Sequence, residues 1–205
     1  MARYEDLPFH RGEAPTEDAF DHLLGREYEI EDYDWAQTSG ARKHRSGMLI
    51  TIRLVKNSSG VAILPKRLVQ SVTASGAYGQ EVLAFTRLSA QDWLGVSDEF
   101  LPAAGAPDGS YFYIVVKGPT VVLTPDDGAA FNGDITAGAV LVAATAAAST
   151  GLTAGRVAVQ NITGSSTGTD YTDPINNSVN VVGRAISAAT TDNTRTEILA
   201  DVGRI

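Results

Sequence analysis

The stretch from Gly109 to Thr124, GSYFYIVVKGPTVVLT, constrains the fold of this chain more than any other. Aromatic and β-branched residues fill it, and these favour a pleated, half-buried strand. Side chains alternate along a strand, so Tyr111, Tyr113, Val115 and Lys117 share one face, and Phe112, Ile114 and Val116 the other. Both faces are apolar, which predicts a strand covered on both sides, with Lys117 emerging at its end. Gly118-Pro119 follows. Proline has no N–H to give to a ladder, so a break is expected there, then a second strand from Thr120 to Leu123. Pro125-Asp126-Asp127-Gly128 reads as a turn. This strand–break–strand unit is expected to join two β-rich halves.

The flanking sequence carries the same texture. Met48 to Val55 alternates, and Lys56-Asn57-Ser58-Ser59-Gly60 predicts a hairpin turn into Val61 to Val69, where Pro65 demands an edge or a bend. Gln80 to Thr86 is a further strand. Leu88 to Leu94 reads as a helical turn or irregular crossing, and Ala103 to Gly109 as a linker. In the second half Val140 to Thr145, Arg156 to Ile162, Val179 to Ile186 and Thr194 to Val202 read as strands. Gly183 is a bulge or close-approach point, the last strand closes the sheet, and Thr163 to Asn177 is a polar loop. The expected fold is mainly β: two small antiparallel modules, sandwich or barrel-like, at 48–125 and 126–205, behind an acidic, partly extended arm and basic linker at 1–47.

The net charge of −8 is segregated. Met1 to Asp34 holds eleven acidic residues against Arg3, Arg11 and Arg26. Trp35 to Arg67 holds seven basic residues and no acid. Within the arm, Thr16 to Leu24 suits one short helix, capped by Thr16 and ended by Gly25. That is too little to fold alone, so the arm either docks or stays solvated. The acidic Glu27, Glu29, Glu31, Asp32 and Asp34 and the basic Arg42, Lys43 and Arg45 are the candidate subunit or partner contacts, since Arg suits carboxylate partners.

Other chemistries lack their residues. Without cysteine there is no disulfide, thiolate nucleophile or Cys-based metal site. His10, His22 and His44 lack ligand spacing, and Asp126-Asp127 and Asp170 with Asp173 sit in turn sequences, so no metal or cofactor is expected. No nucleophile elbow, phosphate loop or dinucleotide fingerprint occurs, and the paired carboxylates lie in the arm, so no enzyme is expected. The basic cluster follows directly on acidic sequence that repels phosphate, which argues against nucleic acid. No basic-then-apolar leader and no bilayer-length apolar run is present, so the expectation is a protein used without secretion and without a membrane partner. Trp35, Trp93 and Tyr171 are the aromatic candidates for a second reading, a trimeric fibre or receptor- or glycan-binding module.

Lys56 to Val69 (KNSSGVAILPKRLV), Val96 to Pro107 (VSDEFLPAAGAP) and Tyr111 to Leu123 resemble structural proteins encoded in the head modules of tailed bacteriophages. The C-terminal half is similar in texture to small capsid decoration or cement proteins, where a Gly-bounded strand such as Val140 to Ala144 precedes a V-G-R-A strand, here Val182-Gly183-Arg184-Ala185, and a terminal strand. The resemblance covers Lys56 to Ile205 and leaves out the acidic arm. It implies a virion structural protein on the outer capsid surface, assembled in the host cytoplasm. Its partner would be the major capsid protein, and it would act as a homotrimer that clamps neighbouring capsid subunits.

Overall fold

The computed structural model describes residues 7–33, 44–74, 76–85, 93–123, 135–143, 157–159, 181–187 and 197–203. The fold is mainly β, as the abundance of strand-forming segments predicts. Among the described residues the strands are β1 (Glu27–Tyr33), β2 (His44–Asn57), β3 (Leu68–Ser71), β4 (Glu81–Ala84), β5 (Trp93–Ser97), β6 (Tyr111–Leu123), β7 (Val140–Ala143), β8 (Val157–Val159), β9 (Val181–Ala185) and β10 (Glu197–Val202). They lie in the order β1-β2-β4-β3-β5-β6-β10-β9-β7-β8, and β2 also pairs with β6. That extra pairing closes β2, β4, β3, β5 and β6 into a barrel-like hydrogen-bonded circuit. From β6 four further strands, β10, β9, β7 and β8, continue the sheet, and β1 adds to the edge of β2. The expected boundary between 125 and 126 falls outside the described residues. So do the turn at 125–128, the loop at 163–177, and Asp126, Asp127, Asp170 and Asp173.

β6 serves both parts of the sheet, and it does so without the expected break. Its first half pairs with β2 as far as Lys117 and with β5 through Ile114 and Val115. From Gly118 onward it pairs with β10. The ladder therefore changes partner at Gly118-Pro119 instead of ending. Gly118 sits at φ 98, and a Cβ there would stand 2.7 Å from the Leu49 carbonyl oxygen, so only glycine lets β6 pass this close to β2. The two faces of β6 divide as the alternation requires. Tyr111, Tyr113 and Val115 enter the main core with Ile50, Ile52, Leu54 and Leu68. Phe112 and Ile114 enter a second core with Val55, Val69, Val82 and Leu101. Lys117 emerges into solvent.

Three expectations about connectivity are corrected. No hairpin follows Asn57: Pro65 and a left-handed Lys66 (φ 61) hold residues 58–67 out of the ladder, apart from one bridge between Ile63 and Ala106. The sheet is consequently mixed rather than antiparallel throughout. β1 leaves the edge of β2 beyond Arg53, and β4 fills the same edge in parallel at Lys56 and Asn57. The third concerns β10, which does not close the sheet but lies inside it, between β6 and β9. There Gly183 is a close-approach point: an added Cβ would meet the Asp201 carbonyl oxygen at 1.9 Å.

The arm is part of the fold. Its helix is a 3-10 turn, Asp18–Leu23, preceded by Glu17 with no side-chain cap, in place of the expected Thr16-capped helix. Beyond it the residues EYEIEDY form β1, paired antiparallel with β2 from Glu27↔Arg53 to Tyr33↔His44. Tyr28, Ile30 and Asp32 point inward, and Glu27 and Glu29 are exposed. Aromatic contacts fasten the rest: Phe9 stacks on Tyr113 at 4.7 Å, Phe20 meets Phe9 edge-on at 5.1 Å, and Phe20 meets Tyr111 at 5.8 Å. Described residues 7–33 thus dock on their own chain through Phe9, Phe20, Tyr28 and Ile30, with Glu27 and Glu29 left in solvent.

Candidate interaction surface

The segments around residues 58–65 and 101–109 lie far apart in sequence and come together at one end of the circuit. Ile63 and Ala106 exchange both backbone hydrogen bonds, at 2.9 and 2.8 Å. Asn57, wholly buried, ties the two loops from beneath. Its Nδ2 donates to the carbonyls of Val61 at 2.8 Å and Ala106 at 2.9 Å, and its Oδ1 accepts from the Ser59 amide at 3.0 Å. The Gly60 amide donates to Asp108 Oδ1 at 2.7 Å. Gly105, at φ 80, brings its backbone so near that a Cβ would stand 2.5 Å from the Ile63 carbonyl oxygen. The stretch expected to be a linker is therefore a fixed platform.

What this platform presents is apolar. Val61 is 57% exposed and Leu64 42% exposed, two of the six large apolar side chains left open among the described residues. Ala62, Pro102, Ala103, Ala104 and Pro107 are exposed beside them. No charged residue occurs in 57–65 or in 100–107. Exposed apolar groups on a pinned backbone lose little conformational entropy when covered, the property an adhesive face requires.

Of the charged residues singled out from the sequence, Glu27 is engaged within its own chain. Glu27 accepts from Arg53 Nε at 3.1 Å and also from its Nη2, one β1–β2 register pair. Lys56 reaches Asp21 at 3.5 Å and Asp18 at 3.8 Å. Tyr111 completes this group: its hydroxyl donates to Asp21 Oδ1 and accepts from Lys56 Nζ at 3.0 Å. The Tyr111 bond holds the Asp21 carboxyl below the usual carboxylate range, with Lys56 assisting. The same hydroxyl leads the upward shift of Lys56. Burial, followed by the bond to Asp21, raises the Tyr111 phenol.

Asp32 is corrected as a contact residue, because its position on β1 buries it completely. Glu29 is exposed and Glu31 is half-buried on β1. Asp34, Arg42 and Lys43 lie outside the described residues, as do Trp35, Tyr171 and the Arg45 side chain. Trp93 on β5 is half-buried and packs against the main core. The sequence reading missed Arg11 and Asp98. Their side chains, 0% and 1% exposed, form a fork with Arg11 Nη2–Asp98 Oδ1 at 2.6 Å and Nε–Oδ2 at 3.1 Å. No sequence signal links two residues 87 positions apart.

Among the described residues no group of three or more His, Asp or Glu side chains could hold a metal ion, and no helix is long and apolar enough to cross a membrane. The chain matches no protein-family model and no curated protein.

Proposed function

We propose that this chain is a decoration, or cement, protein of a tailed-bacteriophage head, holding to the outer capsid surface through the platform of residues 58–65 and 101–109. The observation that carries the reading is the pinned pair of loops bearing Val61 and Leu64, in which Asp108 is the one charged residue. Two of the three segments that resemble phage head proteins, 56–69 and 96–107, supply those loops. The partner in this reading is the major capsid protein, on which an apolar patch would be the chemical complement of such a face. The protein works as a homotrimer at the junction of neighbouring capsid subunits, where three modest contacts act as one firm one. Adhesion of this kind needs no catalytic group, cofactor, nucleic acid or membrane.

The test mixes purified protein with undecorated expanded capsids. Co-sedimentation and a rise in capsid heat stability are expected. Leu64→Asp places an unpaired charge in the contact and should abolish both effects while the isolated variant melts as the parent does. A parent protein that neither sediments with capsids nor alters their melting overturns the reading.

A further inference from the structure

A second surface feature lies away from the platform. Leu24, Gly25, Arg53, Tyr78, Gly79 and Gln80 line an open cleft of about 380 Å³. Its walls are backbone-fixed. The Gly25 amide donates to the Leu54 carbonyl at 2.9 Å, and the Lys56 amide to the Gln80 carbonyl at 3.0 Å. The Gly79 amide donates to Ser71 Oγ at 2.8 Å. Gly25 and Gly79 sit at φ 80 and 77. A Cβ on Gly79 would stand 3.4 Å from Arg53 Nη1, and one on Gly25 would stand 3.2 Å from Gln80 Cγ. Two glycines in the left-handed region thus keep the space between the helix end and the 76–80 turn open.

The groups facing this space combine an aromatic plate with paired donors and acceptors. Tyr78, 59% exposed, is the most open of the large apolar and aromatic side chains described. Arg53 spends Nε and Nη2 on one oxygen of Glu27. Nη1 of Arg53 carries no hydrogen bond among the described residues, and the exposed Gln80 carboxamide adds a donor and an acceptor. We infer that this cleft is a binding site for a neutral pyranose, a free sugar or the end of a glycan. The axial C–H face of the ring would lie on Tyr78, with adjacent hydroxyls bonded to Arg53 Nη1 and the Gln80 carboxamide. The cleft volume stands at the low end for ligand sites, which suits one or two sugar rings. A neutral sugar is favoured over an anionic one because Glu27 already neutralises Arg53 and the net charge is −8.

The inference does not depend on the capsid reading, and its test separates the two. Saturation-transfer NMR is run on the full chain with neutral methyl pyranosides and disaccharides, and with methyl uronates as the anionic arm. Transfer to the neutral sugars is expected, with about a tenfold weaker affinity in Tyr78→Ala, retention in Tyr78→Phe, and unchanged melting in both. Capsid co-sedimentation should be unaltered in Tyr78→Ala. No transfer to any neutral sugar, transfer to uronates alone, or Tyr78→Ala binding as the parent does would each overturn the proposal.

Discussion

Arg11→Met is the substitution that asks most of this structure. The methionine keeps an apolar stem of similar reach and removes the guanidinium. In the parent, Asp98 accepts four hydrogen bonds: from Arg11 Nε and Nη2, from the Gly12 amide at 3.2 Å and from the Phe100 amide at 3.3 Å. Arg11 also lies over the Phe100 ring, 4.8 Å from its centre. Taking Arg11 away leaves Asp98 a buried carboxylate with two backbone donors. Breaking one side of such a pair costs about 3–5 kcal/mol. For a chain of this size each kcal/mol shifts the melting point by about 2–4 °C, so a fall on the order of 10 °C is expected.

The assay is urea unfolding followed by tryptophan fluorescence and by circular dichroism. Because β1 and Phe9 belong to the sheet and core, the arm should not peel off separately, and the two probes should report one transition. The double variant Arg11→Met/Asp98→Leu removes the stranded charge along with its partner. Only the Gly12 and Phe100 amides then lose an acceptor, at about 1 kcal/mol each, so the double variant should be more stable than Arg11→Met alone. A loss under about 1 kcal/mol in Arg11→Met would refute the reasoning, since that is the worth of a solvent-exposed pair. Strict additivity of the two substitutions would refute it as well.

Tyr111→Phe should raise the Asp21 titration toward the ordinary carboxylate range and lower that of Lys56, read by NMR; an unmoved Asp21 would remove Tyr111 as the cause. The signs fix the pH window of this contact. Asp21 is lowered, so its contribution is present above the ordinary carboxylate range and fades as pH falls through its folded value; Lys56 is raised, so its contribution is full below the ordinary ammonium range and fades as pH rises through its folded value. Gly183→Ala should cost about 3 kcal/mol or more in urea unfolding, because its Cβ would stand 1.9 Å from the Asp201 carbonyl oxygen and must drive β9 from β10. Glu27→Gln should cost under about 1 kcal/mol, since this pair is partly exposed, and a larger loss would show that Arg53 carries more of the β1–β2 register than its geometry implies.

The strands that could be read in the sequence were those whose residue types agree with their pattern. β6 is the plainest, with aromatic and β-branched residues on both faces. β1 has an equally regular alternation, but its outward positions are Glu27, Glu29 and Glu31, and an inward Asp32 interrupts the apolar set. Charge density therefore outweighed period, and a strand read as a solvated arm. The turn chemistry at Asn57 was real, since its Oδ1 accepts from the Ser59 amide two residues on. Its Nδ2 also reaches Ala106, 49 residues away, and that distant bond turns a local hairpin signal into the root of a two-loop platform. Tyr78 went unnoticed because GAYGQ reads as loop, and exposure is decided by what packs nearby.

The fate of the segregated charge bears on how such a molecule adheres. The acidic arm is engaged by its own chain at Glu27–Arg53 and at Asp18 and Asp21 with Lys56, and the arm's Arg11 is engaged by Asp98. These pairs hold the arm down, and they remove charge from the outward surface. The platform of residues 58–65 and 101–109 holds one charged side chain, Asp108, bonded to the Gly60 amide. Capsid attachment through it is therefore expected to persist as ionic strength rises to about 1 M, where the screening length falls to about 3 Å. Attachment through Arg42, Lys43 and Arg45 would instead weaken steeply over the same range. Sedimentation of protein with capsids across a salt series decides between the two. A steep loss would move the contact from the apolar loops to the basic segment, whereas a flat profile together with loss in Leu64→Asp would fix it on the platform.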